Sequence, residues 1–410
     1  MERVTIGVIG VGGYGRTHLA AIRHAEEKGL ARLVAAVILP GLDPESEKEL
    51  RARGVLIYRS HEEMFARAPR EAPGGLELVG VPCGIEAHAP LSIAALRAGF
   101  HVLCEKPAAG NHGDALEMQR VARETGRILG IGYQNMYSRP IQRIKELTLE
   151  GRNGGPLGRL VKAKSYALWP RDSVYYGRNA WAGKLVSGGR PIYDSPIQTA
   201  TAHYFQDLLY VAGPDAVSSA TPVRLYGENY RAKEIASADT QFVRVQTREG
   251  PVLLFMVTHA CTVMRGPATE YIYERGVIRW SSEGTKGPTE VRVGSDPRVS
   301  EPPVVETLEN EDTELHNLPY LGLIKAIRSG GQPIATIHNC IQHTACVQAL
   351  FTRCDLVPIP AEHLRTERGP TVGTHIPGID ELMKGMFDRE QSYHEAGAPW
   401  ARPGKEIDLR

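Results

Sequence analysis

Short apolar runs alternate with amphipathic stretches along the first third of the chain. Val4–Ile9, Leu33–Ile38, Val55–Tyr58, Leu76–Val81, His101–Cys104 and Ile128–Ile131 read as strands, their hydrophobicity too continuous for a sheet with one wet face. Between them lie helical periodicities: Leu19 to Ala25, Glu47 to Arg53, His61 to Ala66, His88 to Gly99 and Asp114 to Gly126. Regular alternation of strand and helix predicts α/β architecture with a doubly wound parallel sheet over residues 1–132. From 133 to 410 the pattern changes. Ile141 to Leu149 is an amphipathic helix, and Leu160 to Trp169 alternates as a strand. Strand-like runs follow at 223–226, 240–247, 252–258 and 271–280, with a possible edge strand at 290–293. Their spacing suits an antiparallel sheet, so the second domain is expected to be α+β. Glu314 to Ser329 and Asp380 to Phe387 complete the helices.

The first strand runs into Gly10-Val11-Gly12-Gly13-Tyr14-Gly15 and then a helix. Gly10, Gly12 and Gly15 fit G-x-G-x-x-G: one glycine turns the chain, one admits a pyrophosphate, one packs helix on strand. The helix N-terminus adds free N–H groups and a positive dipole end. Such a Rossmann site places an acid about 20 residues past the glycines to hold the ribose hydroxyls. Here no acid lies between Glu27 and Asp43. Asp43 is either that acid reaching back from a loop or a helix cap before Pro44. No compact basic cluster follows the second strand to hold a 2′-phosphate, so NAD and NADP both remain open, with NAD slightly favoured.

Composition narrows the class without changing it. Among 410 residues, 42% are hydrophobic and 23% charged, and net charge is +1, which gives no footprint for nucleic acid or an anionic membrane surface. No apolar run reaches the ~18 residues of a membrane span. The start of the chain lacks a signal-peptide layout, and the six cysteines include no C-x-x-C, so they are read as reduced and the protein as cytoplasmic. Cys340 and Cys346, with His338 and His343 nearby, match no structural zinc spacing. They are read as a packed helix, and no metal is expected.

Three stretches together resemble the glucose–fructose oxidoreductase / inositol dehydrogenase (Gfo/Idh/MocA) family of NAD(P)-dependent oxidoreductases. They are Gly10-x-Gly12-x-x-Gly15-x-x-His18, Val81-Pro82 with His88, and Ala98 to Pro107 with its Glu105-Lys106-Pro107 triplet. The resemblance implies a second domain with a large open, mostly antiparallel sheet, one face of which often makes an oligomer contact. A homodimer or homotetramer is therefore expected. Cofactor contacts are expected from Gly10, Gly12, Gly13, Tyr14, Gly15, Pro82, Cys83, His88, Glu105, Lys106 and Gln134. Lys106, at a strand end where ligands sit, is the expected catalytic cation, polarising a sugar hydroxyl or relaying its proton.

The family also places D-x-G-x-H-x-x-D before a helix that closes at a glycine. Counting forward from Asp194 puts Gln198 at the histidine position; counting back from Gly213 puts His203 there and Thr199 at the aspartate position. About five extra residues at the helix start, with Pro196 leading, reconcile the two counts. His203 is then the expected acid/base, and Asp194 a helix cap that also holds substrate. Arg178, Asn179 and Trp181 sit in an aromatic loop suited to stacking on a sugar ring and bonding its hydroxyls; a loop pinned by core tryptophan is the equal alternative. The expected activity is hydride transfer between a nicotinamide and a secondary alcohol of a sugar, cyclitol or glycoside. Two rivals remain: glycoside cleavage by transient oxidation and elimination, and a non-catalytic nucleotide- or sugar-sensing regulator.

Overall fold

The structure is a computed structural model that describes residues 2–281, 288–309 and 314–410. The chain folds as two units, Met1–Ser138 with Asp312–Ile341, and Arg139–Glu311 with Gln342–Arg410. The first unit runs β1 (Val4–Ile9), α1 (Gly15–Glu27), β2 (Ala31–Val37), α2 (Pro44–Ala52), β3 (Leu56–Tyr58), α3 (His61–Glu71), β4 (Leu78–Val81), α4 (Ile85–Arg97), β5 (His101–Cys104), α5 (His112–Thr125) and β6 (Leu129–Ile131). All six strands are parallel in the order β3-β2-β1-β4-β5-β6. The order reverses between β1 and β4, and a doubly wound sheet opens its ligand crevice at the carboxyl ends on either side of such a reversal.

The division expected at 132/133 omits a return of the chain. The helix Leu318–Ser329 lays Tyr320, Leu323, Ile324 and Ala326 into the same core as β1, β2 and α1, and Thr336 bridges to Gly130 beside β6. Periodicity showed that helix but not which sheet it covers, because its apolar stripe would fit either.

The second unit continues with α6 (Arg139–Arg152), β7 (Leu160–Leu168), α7 (Ser173–Gly177), the two-residue ladder β8 (Val186–Ser187) and β9 (Arg190–Pro191), and α8 (Ala202–Ala212). Next come β10 (Pro222–Arg231), β11 (Thr240–Thr247), β12 (Val252–Thr258), β13 (Arg265–Tyr273), β14 (Gly276–Ser281), β15 (Thr289–Val293) and β16 (Val304–Leu308). Past α9, the Leu318–Ser329 helix, lie α10 (Ile337–Arg353), β17 (Leu356–Pro358), β18 (Arg365–Arg368), β19 (Val372–His375), α11 (Ile379–Arg389) and β20 (Lys405–Asp408). Among the described residues the large sheet has ten strands, ordered β16-β15-β14-β13-β7-β12-β11-β10-β17 with β20 also on β10. It is mostly antiparallel, with β7–β12 and β10–β17 parallel.

Strand alternation sends neighbouring side chains to opposite faces. Phe255 of β12 meets Phe205 of α8 at 5.6 Å between ring centroids. The α8 carboxyl end is fixed by Lys145 of α6, whose ammonium donates to the carbonyls of Tyr210 (2.6 Å) and Gly213 (2.9 Å). Leu254 and Met256 point the other way, into a second core with Tyr166, Tyr230 and Phe242. Residues 376–400 close that core with Ile376, Met383, Met386, Phe387, Tyr393 and Trp400. Lys164 of β7 donates to the Phe387 carbonyl at 3.0 Å and pairs with Glu270 at 3.1 Å; Arg244 and Glu395 make a two-pronged pair at 3.0 and 2.6 Å. Farther along the same face Glu270 continues to Arg279, and Arg279 to Glu301.

The chain's own carboxy-terminal segment and a row of ion pairs occupy this face of the large sheet. Replacing Phe387 with alanine is expected to cost about 3–5 kcal/mol, the usual loss for a buried phenylalanine. Urea unfolding at unchanged slope checks it; a midpoint equal to wild type would mean the segment does not close the core.

Candidate active site

The glycine turn has the shape its sequence demands. Gly10 and Gly13 adopt φ of 91° and 54°, which side chains resist. A Cβ on Gly15 would stand 2.6 Å from the Gly10 carbonyl oxygen, so α1 packs this tightly on β1 only without one. The turn opens onto a cleft of about 610 Å³ that Gly10, Gly12, Asp43, Arg59, Pro82 and Cys83 help to line. The residues present thus fit a dinucleotide: a cradle that a Cβ would fill, facing the N-terminus of α1.

Asp43 caps α2 and also lines the cleft. It sits at φ 56° as the N-cap of α2, with Oδ1 accepting from the Ser46 amide at 3.1 Å. Its Oδ2 lies 3.6 Å from where a Gly12 Cβ would be and accepts from Arg16 at 3.3 Å. The Ser46 hydrogen bonds, then Arg16, hold its carboxyl below the usual range. Arg59, which follows β3, is occupied by two bonds to Glu47 at 2.8 and 2.7 Å.

Several expected cofactor residues turn out to hold the strand-end loops in place. Cys83 donates its thiol to the Ile9 carbonyl at 3.0 Å, and burial pushes that thiol up to about 12, leaving it protonated. His88 is buried between the carbonyls of Pro107 (2.8 Å) and Cys83 (3.1 Å). Burial pushes its pKa down and the two carbonyls oppose that; a neutral ring donates to one of them and only packs against the other. Glu105 is buried, accepting from His18 Nε2 at 3.0 Å and from the Lys106 amide at 3.1 Å, while His18 Nδ1 meets the Tyr320 hydroxyl at 2.9 Å. Burial raises the Glu105 pKa, but the His18 bond and the His18 and Lys106 charges outweigh it, and the net shift is downward. Lys106 itself is half-buried, its peptide to Pro107 is cis, and its backbone is set by this carboxylate. Tyr14 and Gln134 both meet His316, at 3.2 and 3.4 Å. Sequence reading missed His316 and Tyr320; Tyr14 and His18, which they meet, lie 302 positions away, beyond any local signal.

In the second unit a π turn lies between Asp194 and Gly213. The expected regular helix start is instead a five-residue π-helical turn, Pro196–Ala200, ahead of α8. Wide turns of this kind take up inserted residues and are frequent at functional sites. Both candidates for the aspartate position meet inside it: Thr199 donates to Asp194 Oδ1 at 2.6 Å. Asp194 Oδ2 accepts from the Gly183 amide at 2.6 Å, so the carboxylate binds the aromatic loop to the π turn. His203 is buried in the first turn of α8. In the loop, Asn179 Oδ1 accepts from the amides of Trp181 (3.1 Å) and Ala182 (2.8 Å), while Arg178 and Asn179 stay exposed. Trp181 is only half-buried, so the loop is held by Asn179 and Asp194 rather than by a core indole. Cys340 and Cys346 are buried on α10, and no group of three or more His, Cys, Asp or Glu among the described residues is placed to hold a metal.

A glycine cradle on a doubly wound sheet, followed by an open mixed sheet, defines a class of two-unit nucleotide-binding α/β proteins. Residues 4–133 match the GFO_IDH_MocA family model, described as "Oxidoreductase family, NAD-binding Rossmann fold", and this segment belongs to the Gfo/Idh/MocA family. Over 132 residues it is 31% identical to D-glucoside 3-dehydrogenase of Escherichia coli (strain K12), covering 32% of this chain and 34% of that protein. Over 163 residues it is 31% identical to inositol 2-dehydrogenase of Rubrobacter xylanophilus, covering 38% and 42%. The chain thus spans about a third to two-fifths of these relatives' length. The fold extends further: the WlbA dehydrogenase from Bordetella pertussis, solved with NADH and UDP-GlcNAcA, aligns with TM-score 0.65 at 21% identity over 85% of this chain and 96% of that one. Levoglucosan dehydrogenase in complex with NADH gives TM-score 0.68 at 15% identity, with 85% and 96% covered.

Proposed function

We propose that the protein is a nicotinamide-dependent oxidoreductase acting on a secondary alcohol of a sugar-like substrate. The observation that supports this most is the Gly10–Gly15 cradle with a half-buried lysine, Lys106, at the end of β5 in the same sheet. A bound nicotinamide supplies the carbon that accepts or returns the hydride. The chain's part is position and charge. The α1 N-terminus and the glycine amides receive the pyrophosphate. Asp43 Oδ2 receives ribose hydroxyls; a 2′-phosphate would meet its negative charge, while Arg59 is committed to Glu47. NAD is therefore the proposed cofactor. Lys106 is the proposed group that polarises the reacting oxygen, and His203 of α8 is proposed as an acid/base.

The test is a panel of sugars, inositols and glycosides with NAD and NADP, read at the reduced-nicotinamide absorbance. Turnover of at least one substrate with NAD supports the reading, and silence across the panel favours a sensor. Asp43→Asn is expected to raise KM for NAD by about tenfold, as loss of a charged hydrogen-bond acceptor does, and to narrow the gap to NADP. Unchanged cofactor preference would leave Asp43 as a helix cap alone.

A further inference from the structure

Beyond β7 the chain gathers cations around one tyrosine. The Arg171 guanidinium lies 4.7 Å from the Tyr175 ring centroid and 5.5 Å from that of Trp169. Arg178 lies 3.7 Å from the same tyrosine ring and 5.1 Å from Trp181. Aromatic faces hold guanidinium planes without neutralising them. Neither arginine has a carboxylate partner among the described residues, although arginines elsewhere, such as Arg59, Arg244 and Arg279, are matched with glutamates. Lys233, nine-tenths buried, adds a third cation; its ammonium donates to the Thr374 carbonyl.

Against Tyr175 sits His259, whose ring centre is 5.7 Å away, edge to face. It is 1% exposed, its Nδ1 is 3.0 Å from the Tyr176 hydroxyl, and its Nε2 has no hydrogen-bond partner among the described residues. Burial, then the charges of Arg171, Lys233 and Arg178, hold the imidazole neutral. Either tautomer leaves Nε2 unsatisfied, a costly state for a buried polar atom. Arg171, Tyr175, Lys233, Thr262 and His375 help to line a cleft of about 620 Å³, roomy enough for a monosaccharide. Two acids also line it, but Asp172 is committed to capping α7 through the Tyr175 amide at 3.0 Å, and Glu367 is exposed on the β18–β19 hairpin.

We propose that the cations around Tyr175 bind an anionic group carried by a sugar, either a carboxylate or a phosphate. Each guanidinium donates one N–H to a backbone carbonyl, Arg171 to Pro170 at 2.9 Å and Arg178 to Tyr175 at 2.7 Å, and its remaining N–H groups suit either oxyanion. The inference rests on the proposed function only in taking this ligand as the substrate; the binding claim stands apart from catalysis.

Calorimetric titration of the full chain with D-glucuronate, D-glucose 6-phosphate and D-glucose is the test, on wild type and on the double variant Arg171→Gln, Arg178→Gln. A carboxylated or phosphorylated hexose is expected to bind at least tenfold more tightly than D-glucose, and the double variant, with an unchanged Tm, to lose that preference. The tighter of the two acids identifies the source of the anion. Equal binding of all three, no binding of any, or an unchanged preference in the double variant would overturn the proposal. Acid binding without nicotinamide turnover would instead count against the oxidoreductase reading alone.

Discussion

Replacing Lys106 with alanine is expected to lower kcat by about 10²–10⁴-fold, the usual contribution of a positioned proton-transfer group. Nucleotide affinity should barely change, because the proposed contacts of the glycine turn and Asp43 are to the other end of the cofactor. The split follows from placement. Lys106 lies just past β5, and its amide is held by the Glu105 carboxylate. Arginine should not rescue the variant: its guanidinium stays protonated and cannot pass a proton on. Stopped-flow turnover and fluorescence titration with NAD, run on the same preparations, separate the two effects. A variant that turns over like wild type would remove Lys106 from the chemistry.

Glu105→Ala is expected to cost about 3–5 kcal/mol of stability, because it leaves a buried histidine facing an empty place. Burial raises the Glu105 pKa, and the His18 bond with the His18 and Lys106 charges more than reverses that, so the folded carboxyl titrates below an unfolded one. A group with a lowered folded pKa contributes its stability in full above the unfolded value and loses it as pH falls through the folded value. Wild type should therefore lose stability on acidification below the ordinary glutamate range, and the alanine variant should show a shallower loss there. Urea unfolding at pH 7 and at about pH 3 checks both points. Parallel pH profiles would mean that His18 and Tyr320 hold the loop without the carboxylate. Glutamine at this position keeps the shape and an acceptor, and is expected to recover part of the stability without the acid-sensitive part.

The first unit was legible because its signals are local. Six short apolar runs made six parallel strands, and the glycine spacing made the cradle, since both depend on residues within a few positions. Asp43 could not be decided from sequence, because one residue with φ 56° serves as cap and cleft acid at once. The return of residues 312–341 to the first unit, and of β20 to the edge of the second sheet, depends on contacts hundreds of residues apart and leaves no periodic mark. The carboxy-terminal cover of the large sheet was hidden for a related reason. A short amphipathic helix such as α11 shows that it buries a face, never which one. The two counts across Asp194 and His203 conflicted because Pro196–Ala200 forms a π turn, which breaks the 3.6-residue period on which such counting relies.

The central claim is that a pyridine nucleotide lies in the Gly10–Gly15 cleft with its reactive ring beside Lys106. Crystals grown with NAD test it most directly. The account predicts pyrophosphate against the amides at the start of α1, ribose hydroxyls on Asp43 Oδ2, and the nicotinamide ring within reach of the Lys106 ammonium. Density for the adenosine half on the far side of the sheet, or a nicotinamide ring turned away from Lys106, would contradict it.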